Sequence, residues 1–146
     1  MTKKAANIRI IQGDWARLGQ QAEQLRRTVF IDEQNVSQEE EWDGLDPDCL
    51  HFLAYSDERP IGTARLLPDG HIGRVAVLSE QRGNGIGRAL MMAAIEAARH
   101  QQLKQVELAA QTHALTFYER LGFQAKGSVF LDAGIPHRHM TLSLIR

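Results

Sequence analysis

The sequence is poor in cysteine, in long apolar runs and in any surplus of charge. Its single cysteine, Cys49, has no partner for an internal disulfide. No apolar stretch reaches the roughly 18 residues that a membrane-spanning helix needs. Lysine and arginine number 17 against 18 aspartates and glutamates, a net charge of −1. The chain therefore shows no basic excess that would advertise a nucleic-acid partner. The opening Met1 to Asn7 is too short and too polar for a signal peptide. There is no linker, no repeat and no low-complexity tract. What remains is an ordinary globular composition, 43% hydrophobic and 24% charged over 146 residues. This predicts one domain, 1–146, in a reducing cytoplasm.

Against that background one stretch stands out. Gly73-Arg74-Val75-Ala76-Val77-Leu78 is a β-branched run that reads as a strand. Arg82-Gly83-Asn84-Gly85-Ile86-Gly87 follows, with three glycines in five residues. From Arg88 to Ala98 the residues are strong helix formers. Strand, glycine turn and helix in that order present main-chain N–H groups at a helix N-terminus, where an anion is favoured. Glycine permits positive φ and lets a phosphate approach without meeting a Cβ.

The rest of the chain alternates strands and helices. Ile8 to Ile11 reads as a strand, and Asp14 can cap a helix carrying Trp15, Leu18, Ala22, Leu25 and Val29 at helical spacing. Arg26 and Arg27 fall near its end. Phe30 to Asp48 holds eight acids and few apolar residues, and reads as a loop or broken helix. Two readings stay open there: a solvated acidic face, or a wall that attracts a cationic substrate. Cys49–Tyr55, Ile61–Leu67 and His71–Leu78 read as three strands of an antiparallel meander. Lys104–Ala110 follows a helix and should lie parallel to the strand before the glycines. His113–Leu121 reads as a short helix ended by Gly122. Phe123–Leu131 and His137–Leu144 form a last hairpin. The expected fold is α/β (α+β), a mixed sheet of roughly seven strands with a central parallel βαβ unit flanked by helices. A doubly wound dinucleotide fold is disfavoured, because its glycine loop normally follows the first strand.

Val75-Ala76-Val77, Gln81 to Gly87, and Phe117-Tyr118-Glu119-Arg120-Leu121-Gly122-Phe123 together resemble the GNAT family of acetyl-CoA-dependent N-acetyltransferases. Val29 to Val36, Glu41 to Asp46, and Ala133 to Met140 are similar to its YjcF-like branch. The resemblance implies that Val75, Ala76 and Val77 offer main-chain groups to the pantetheine arm. The amides of Arg82, Gly83, Asn84, Gly85, Ile86, Gly87 and Arg88 would hold the pyrophosphate of acetyl-CoA. A splay between the two parallel strands would receive the thioester. Gln111 stands where many relatives carry an asparagine near the cofactor, and Tyr118 matches the family's general acid.

Acetyl transfer from a thioester needs an amine that loses a proton, a donor for the carbonyl oxygen and a proton for the leaving sulfur. Tyr118 can supply the last, and the N–H of Val75 or Val77 can polarise the oxygen. Glu33, Glu41, Asp43, His71 and His137 are the candidate bases, with a relayed water as the alternative. Glu33 can equally bind a cationic substrate group. A metal at His137 and His139 is disfavoured, since two histidines do not make a site. Cys49 as an acyl-accepting nucleophile is equally disfavoured. Arg65 and Arg74 are more simply paired structural arginines than cleft groups. The expected activity is transfer to a primary amine of a small molecule. The alternatives are a non-catalytic acyl-CoA sensor or interaction module, and transfer to a protein amine. A homodimer is the default assembly.

Overall fold

The computed structural model describes residues 7–145. Most of the N-terminal stretch, read above as no signal peptide, lies outside the described residues. Strand β1 (Ile8–Gly13) leads to helix α1 (Trp15–Arg26), whose first turn is capped by Asp14 accepting from the Arg17 N–H at 3.0 Å. The helix runs on into a π-helical segment, Arg27–Glu33. A short helix α2 (Gln38–Glu41) and a 3-10 turn at Asp46–Asp48 complete the acidic stretch, which is therefore a broken helix.

Strands β2 (Leu50–Ser56), β3 (Arg59–Leu66) and β4 (Ile72–Val77) form the expected antiparallel meander. Helix α3 (Ile86–His100) crosses to β5 (Gln105–Gln111), and α4 (Leu115–Arg120) precedes the hairpin of β6 (Gln124–Asp132) and β7 (Ile135–Ser143). Gly122 ends α4 at φ +103°. The seven strands come in the predicted order but pair in two sheets, β1-β2-β3-β4 and β5-β7-β6. One parallel bridge, His71 to Glu107, joins them.

Burial is concentrated in the first sheet. His51, Phe52, Leu53 and Ala54 are consecutive in β2, and all are buried. Successive strand residues point to opposite faces, so both faces are covered. His51 lies 4.8 Å from the Trp15 ring of α1. Gly62, opposite Ala54, lies under Leu90 and Ile86 of α3. Fully burying each of Phe52, Leu53, Ile61 and Leu90 contributes roughly 1.5–3 kcal/mol. The second sheet is more open, and most of β6 is exposed.

Candidate active site

The bridge at His71–Glu107 is a seam. The Glu107 N–H donates to the Gly70 carbonyl at 3.1 Å, and His71 Nε2 meets Glu107 Oε1 at 2.5 Å. Gly70 sits at φ +99°, where a Cβ would fall 2.7 Å from the Gln105 carbonyl oxygen, so the seam closes only on glycine. Beyond it β4 and β5 no longer pair, and a cleft of about 1470 Å³ opens between them. Ile72 to Val77 line one wall, and Leu108, Ala109 and Gln111 line the other.

β4 is an edge strand of its sheet, so Val75, Ala76 and Val77 present to the cleft a main-chain edge with no partner strand. The strand carries a bulge: Thr63 faces Ala76 while Arg65 faces Gly73. Two residues, Arg74 and Val75, therefore oppose Ala64, and Arg74 takes φ +51°. Such a conformation costs a long side chain of order 1 kcal/mol or more and persists where surrounding bonds enforce it.

At the end of β4 the glycine loop turns into α3. Gly85 is the left-handed N-cap at φ +80°, and the first ladder bond is Ala89 N–H to Gly85 O at 3.0 Å. Among the described residues, the amides from 83 to 88 have no backbone acceptor. A Cβ built at Gly83 or Gly85 meets nothing within 4 Å, so this face is open to a ligand. Two of the expected contacts differ. The Arg82 amide donates to the Ser79 carbonyl at 3.3 Å, because a 3-10 turn precedes the loop. Asn84 is not part of the cleft wall, whereas Gly83, Gly85, Ile86, Gly87 and Arg88 are. The Arg82 side chain donates to the Val77 carbonyl at 3.0 Å and forks onto Glu33 at 2.7 and 2.8 Å.

Tyr118 lines the same cleft. Its ring stands edge-on to Phe117 and Phe123, at 4.9 and 6.0 Å. Burial pushes its phenol up to about 12, so it keeps its proton throughout the neutral range. Gln111 donates to Gln34 Oε1 at 2.9 Å and meets His113 Nε2 at 2.6 Å. His137 faces Gln111 across β5 and β7. Its Nδ1 lies 2.6 Å from the Ile135 carbonyl, and its ring stacks on Phe130. That contact places the N–H on Nδ1 and leaves the Nε2 lone pair free in the neutral ring.

Four of the eight acids in the acidic stretch, Glu33, Glu41, Asp43 and Asp46, are matched by arginines. Arg26, only 1% exposed, holds Glu41 at 2.6 Å and Asp46 at 2.8 Å. Arg65 forks onto Asp43 and reaches Asp46 at 2.9 Å. Arg74 binds Glu41 at 2.7 Å and Asp43 at 3.3 Å. Burial pushes the Asp43 and Asp46 carboxyls up, but the arginines outweigh it and hold both below the usual carboxylate range. The Arg82 fork lowers Glu33 in the same way. Of the acids singled out as substrate contacts, Glu33, Glu41 and Asp43 are thus all engaged by arginine, and the wall is charge-balanced rather than acidic. Arg65 and Arg74 are paired, as the simpler reading had it, and they also line the cleft.

Sequence reasoning missed Arg26. It treated the residue as a cation at a helix end, although positions 18, 22, 25, 26 and 29 share the apolar face and mark it as inward. It also passed over His113. Cys49 is buried, donates to the Leu45 carbonyl, and has its thiol pushed up by burial to about 11, which makes it a poor nucleophile. His139 points to the seam, with its ring 6.4 Å from that of His71. Among the described residues, no group of three or more potential ligands is placed to hold a metal ion.

The family model of the acetyltransferase (GNAT) domain matches residues 17–144. The chain belongs to the GNAT acetyltransferase family. It is 39% identical over 120 residues to the N-acetyltransferase YjcF of Bacillus subtilis, covering 80% of this chain and 86% of that one. An acyl-CoA N-acyltransferase from Pseudomonas aeruginosa superposes with a TM-score of 0.83 at 36% identity, over 94% of this chain and 100% of the other. ElaA of Escherichia coli gives 0.84 at 30% identity, over 92% and 99%. The GNAT chain is thus of the YjcF-like type and of an acyl-CoA-dependent acyltransferase family. No described helix is long and apolar enough to cross a membrane.

Proposed function

We propose that this single domain is an N-acetyltransferase that moves an acetyl group from acetyl-CoA to a primary amine of a small molecule. Both substrates are held together and the amine attacks directly. The observation that carries the reading is the run of unpaired amides from 83 to 88, which opens into the same cleft as the Tyr118 phenol. Those amides and the dipole of α3 suit a diphosphate. The free edge at Val75 to Val77 suits the amide groups of a pantetheine arm, which would add to the sheet like a further strand.

In the reaction the amine nitrogen bonds to the thioester carbon and the C–S bond breaks. Main-chain N–H groups of β4, Val75 at the bulge or Val77 beyond it, stabilise the oxyanion. Tyr118 gives its proton to the departing sulfur. Burial that weakens the phenol as an acid also raises the basicity of a thiolate in the same cleft, so the two remain matched. Glu33, Glu41 and Asp43 hold arginines and make poor bases. His137 Nε2, directly or through water, is the acceptor for the amine proton. The amine enters between the segment 27–48 and the hairpin tip, where Glu40 and Asp132 are the cleft-lining acids that hold no arginine.

Isothermal titration with CoA and acetyl-CoA tests the donor half, and a free-thiol assay over an amine panel tests the transfer. Binding with thiol release is the expected result. Binding with no transfer to any amine would favour a sensor. No heat with either ligand sinks the reading.

A further inference from the structure

Glu33 and Gln34 are neighbours in sequence, yet they grip opposite walls of the cleft. Glu33 receives both guanidinium nitrogens of Arg82, beside the phosphate loop at the end of β4. Gln34 accepts from Gln111, at the end of β5, and His113 buttresses that amide from the other side. Among the described residues, the bridge that joins β4 to β5 lies at His71, just before β4, and Glu107, near the start of β5. The pair of side chains therefore spans the open end of a V whose closed end is the seam. Both residues, with Phe30 and Val36, line the cleft.

We propose that Glu33 and Gln34 form a strap over the thioester channel, and that they act as positioning residues setting the gap between β4 and β5 in which the acyl-carrying arm lies. This rests on the acyl-CoA reading above. A diphosphate at residues 83–88 and a thioester near Tyr118 are joined by an arm that must run under the strap. The two anchors differ in strength. The Glu33–Arg82 fork is charge-assisted and double, whereas the Gln34–Gln111 bond is a single neutral amide contact. The strap thus opens at Gln34 and swings on Glu33. The local backbone suits such a swing: Gln34 N–H bonds five residues back, to the Val29 carbonyl at 3.1 Å, and Asn35 breaks the helix at φ +60°. Wide π-type turns of this kind are enriched at functional positions.

Hydrogen exchange of residues 27–36, read by mass spectrometry, tests the strap with two probes. CoA carries the arm, and adenosine 3′,5′-bisphosphate carries the nucleotide end without it. In the wild type, CoA should slow exchange of this segment about fivefold, one net hydrogen bond's worth, while the bisphosphate leaves it within about twofold. Gln34→Ala should abolish the CoA-dependent slowing and keep the CoA dissociation constant within about threefold, while the acetyl-transfer rate at saturating acetyl-CoA falls about tenfold. Should Gln34→Ala fail to fold, Gln34→Met removes the same acceptor and keeps the length of the side chain. The proposal is overturned if calorimetry shows bound CoA and the segment exchanges as before, or if the bisphosphate protects it as well as CoA does. Absence of any CoA heat removes the acyl-CoA reading itself.

Discussion

Replacing Arg26 by alanine removes the centre of the ion-pair cluster that ties the acidic stretch to the fold, and the structure sets the size of the effect. Arg26 is 1% exposed, and its partner Glu41 is 3% exposed. Truncation leaves two carboxylates inside the protein short of a cation. Breaking a buried pair from one side costs about 3–5 kcal/mol. Each carboxylate here keeps a second arginine, Arg74 for Glu41 and Arg65 for Asp46, so the lower figure applies, near 3 kcal/mol. The lost contact over the Trp15 ring, 5.6 Å from the guanidinium carbon, adds a fraction more. For a domain of this size the melting temperature should drop by about 6–12 °C, and the urea midpoint by about 1–3 M. Thermal scans and urea titrations followed by circular dichroism read both. The exposed Arg59–Glu80 pair is the control, and Arg59→Ala should leave the melting temperature in place. A loss below about 1 kcal/mol for Arg26→Ala, the worth of a surface pair, would refute the claim that the cluster is internal and cooperative.

Two further outcomes follow from the same site. Tyr118→Phe removes only a hydroxyl and keeps the ring between Phe117 and Phe123. Acetyl transfer should slow about 100-fold, roughly 2.7 kcal/mol of barrier, with CoA affinity unchanged; a rate within about threefold of wild type removes Tyr118 from the proton step. Acid should destabilise the fold through Asp43 and Asp46. Both carboxyls sit below their unfolded values, so their contribution is whole above the unfolded pKa of about 3.9 and fades as pH falls through the folded values. Stability measured from about pH 6 downward should begin to fall near pH 5 and steepen below 4. A flat profile across that span contradicts the pairing.

The strand, glycine loop and helix that form one end of the cleft were legible because their signals are local. A β-branched run, spaced glycines and a run of helix formers lie side by side between Gly73 and Ala98, and each is specified by neighbours a few residues away. The ion pairs of the acidic stretch at the other end were not, because they are set over distance. Glu41, Asp43 and Asp46 read as an acidic run, but their arginines come from positions 26, 65 and 74. A charge run carries no record of partners that folding brings in. The π-helical segment Arg27–Glu33 straddles the boundary that the sequence suggested, because residues through Val29 keep helical spacing while Phe30 onward reads as a loop or broken helix. Seven strands could be counted, but their division into two sheets depends on where a parallel pair stops pairing, and Gly70 and His71 mark that place only once Gln105 and Glu107 stand beside them.

The free amides of residues 83 to 88 belong to the polypeptide itself, not to any particular set of side chains. A grip of this kind is indifferent to most substitutions around it, provided the left-handed turns at Gly83 and Gly85 survive. The opposite end of the cleft depends on side-chain identity at every point, from Gln34 and Glu40 to Asp132 and His137. On the proposed function, drift or selection in those positions would redirect transfer to new amines and leave the loop at residues 83 to 88 intact. A library confined to 30–43 and 127–137 is therefore the economical place to search for altered acceptors.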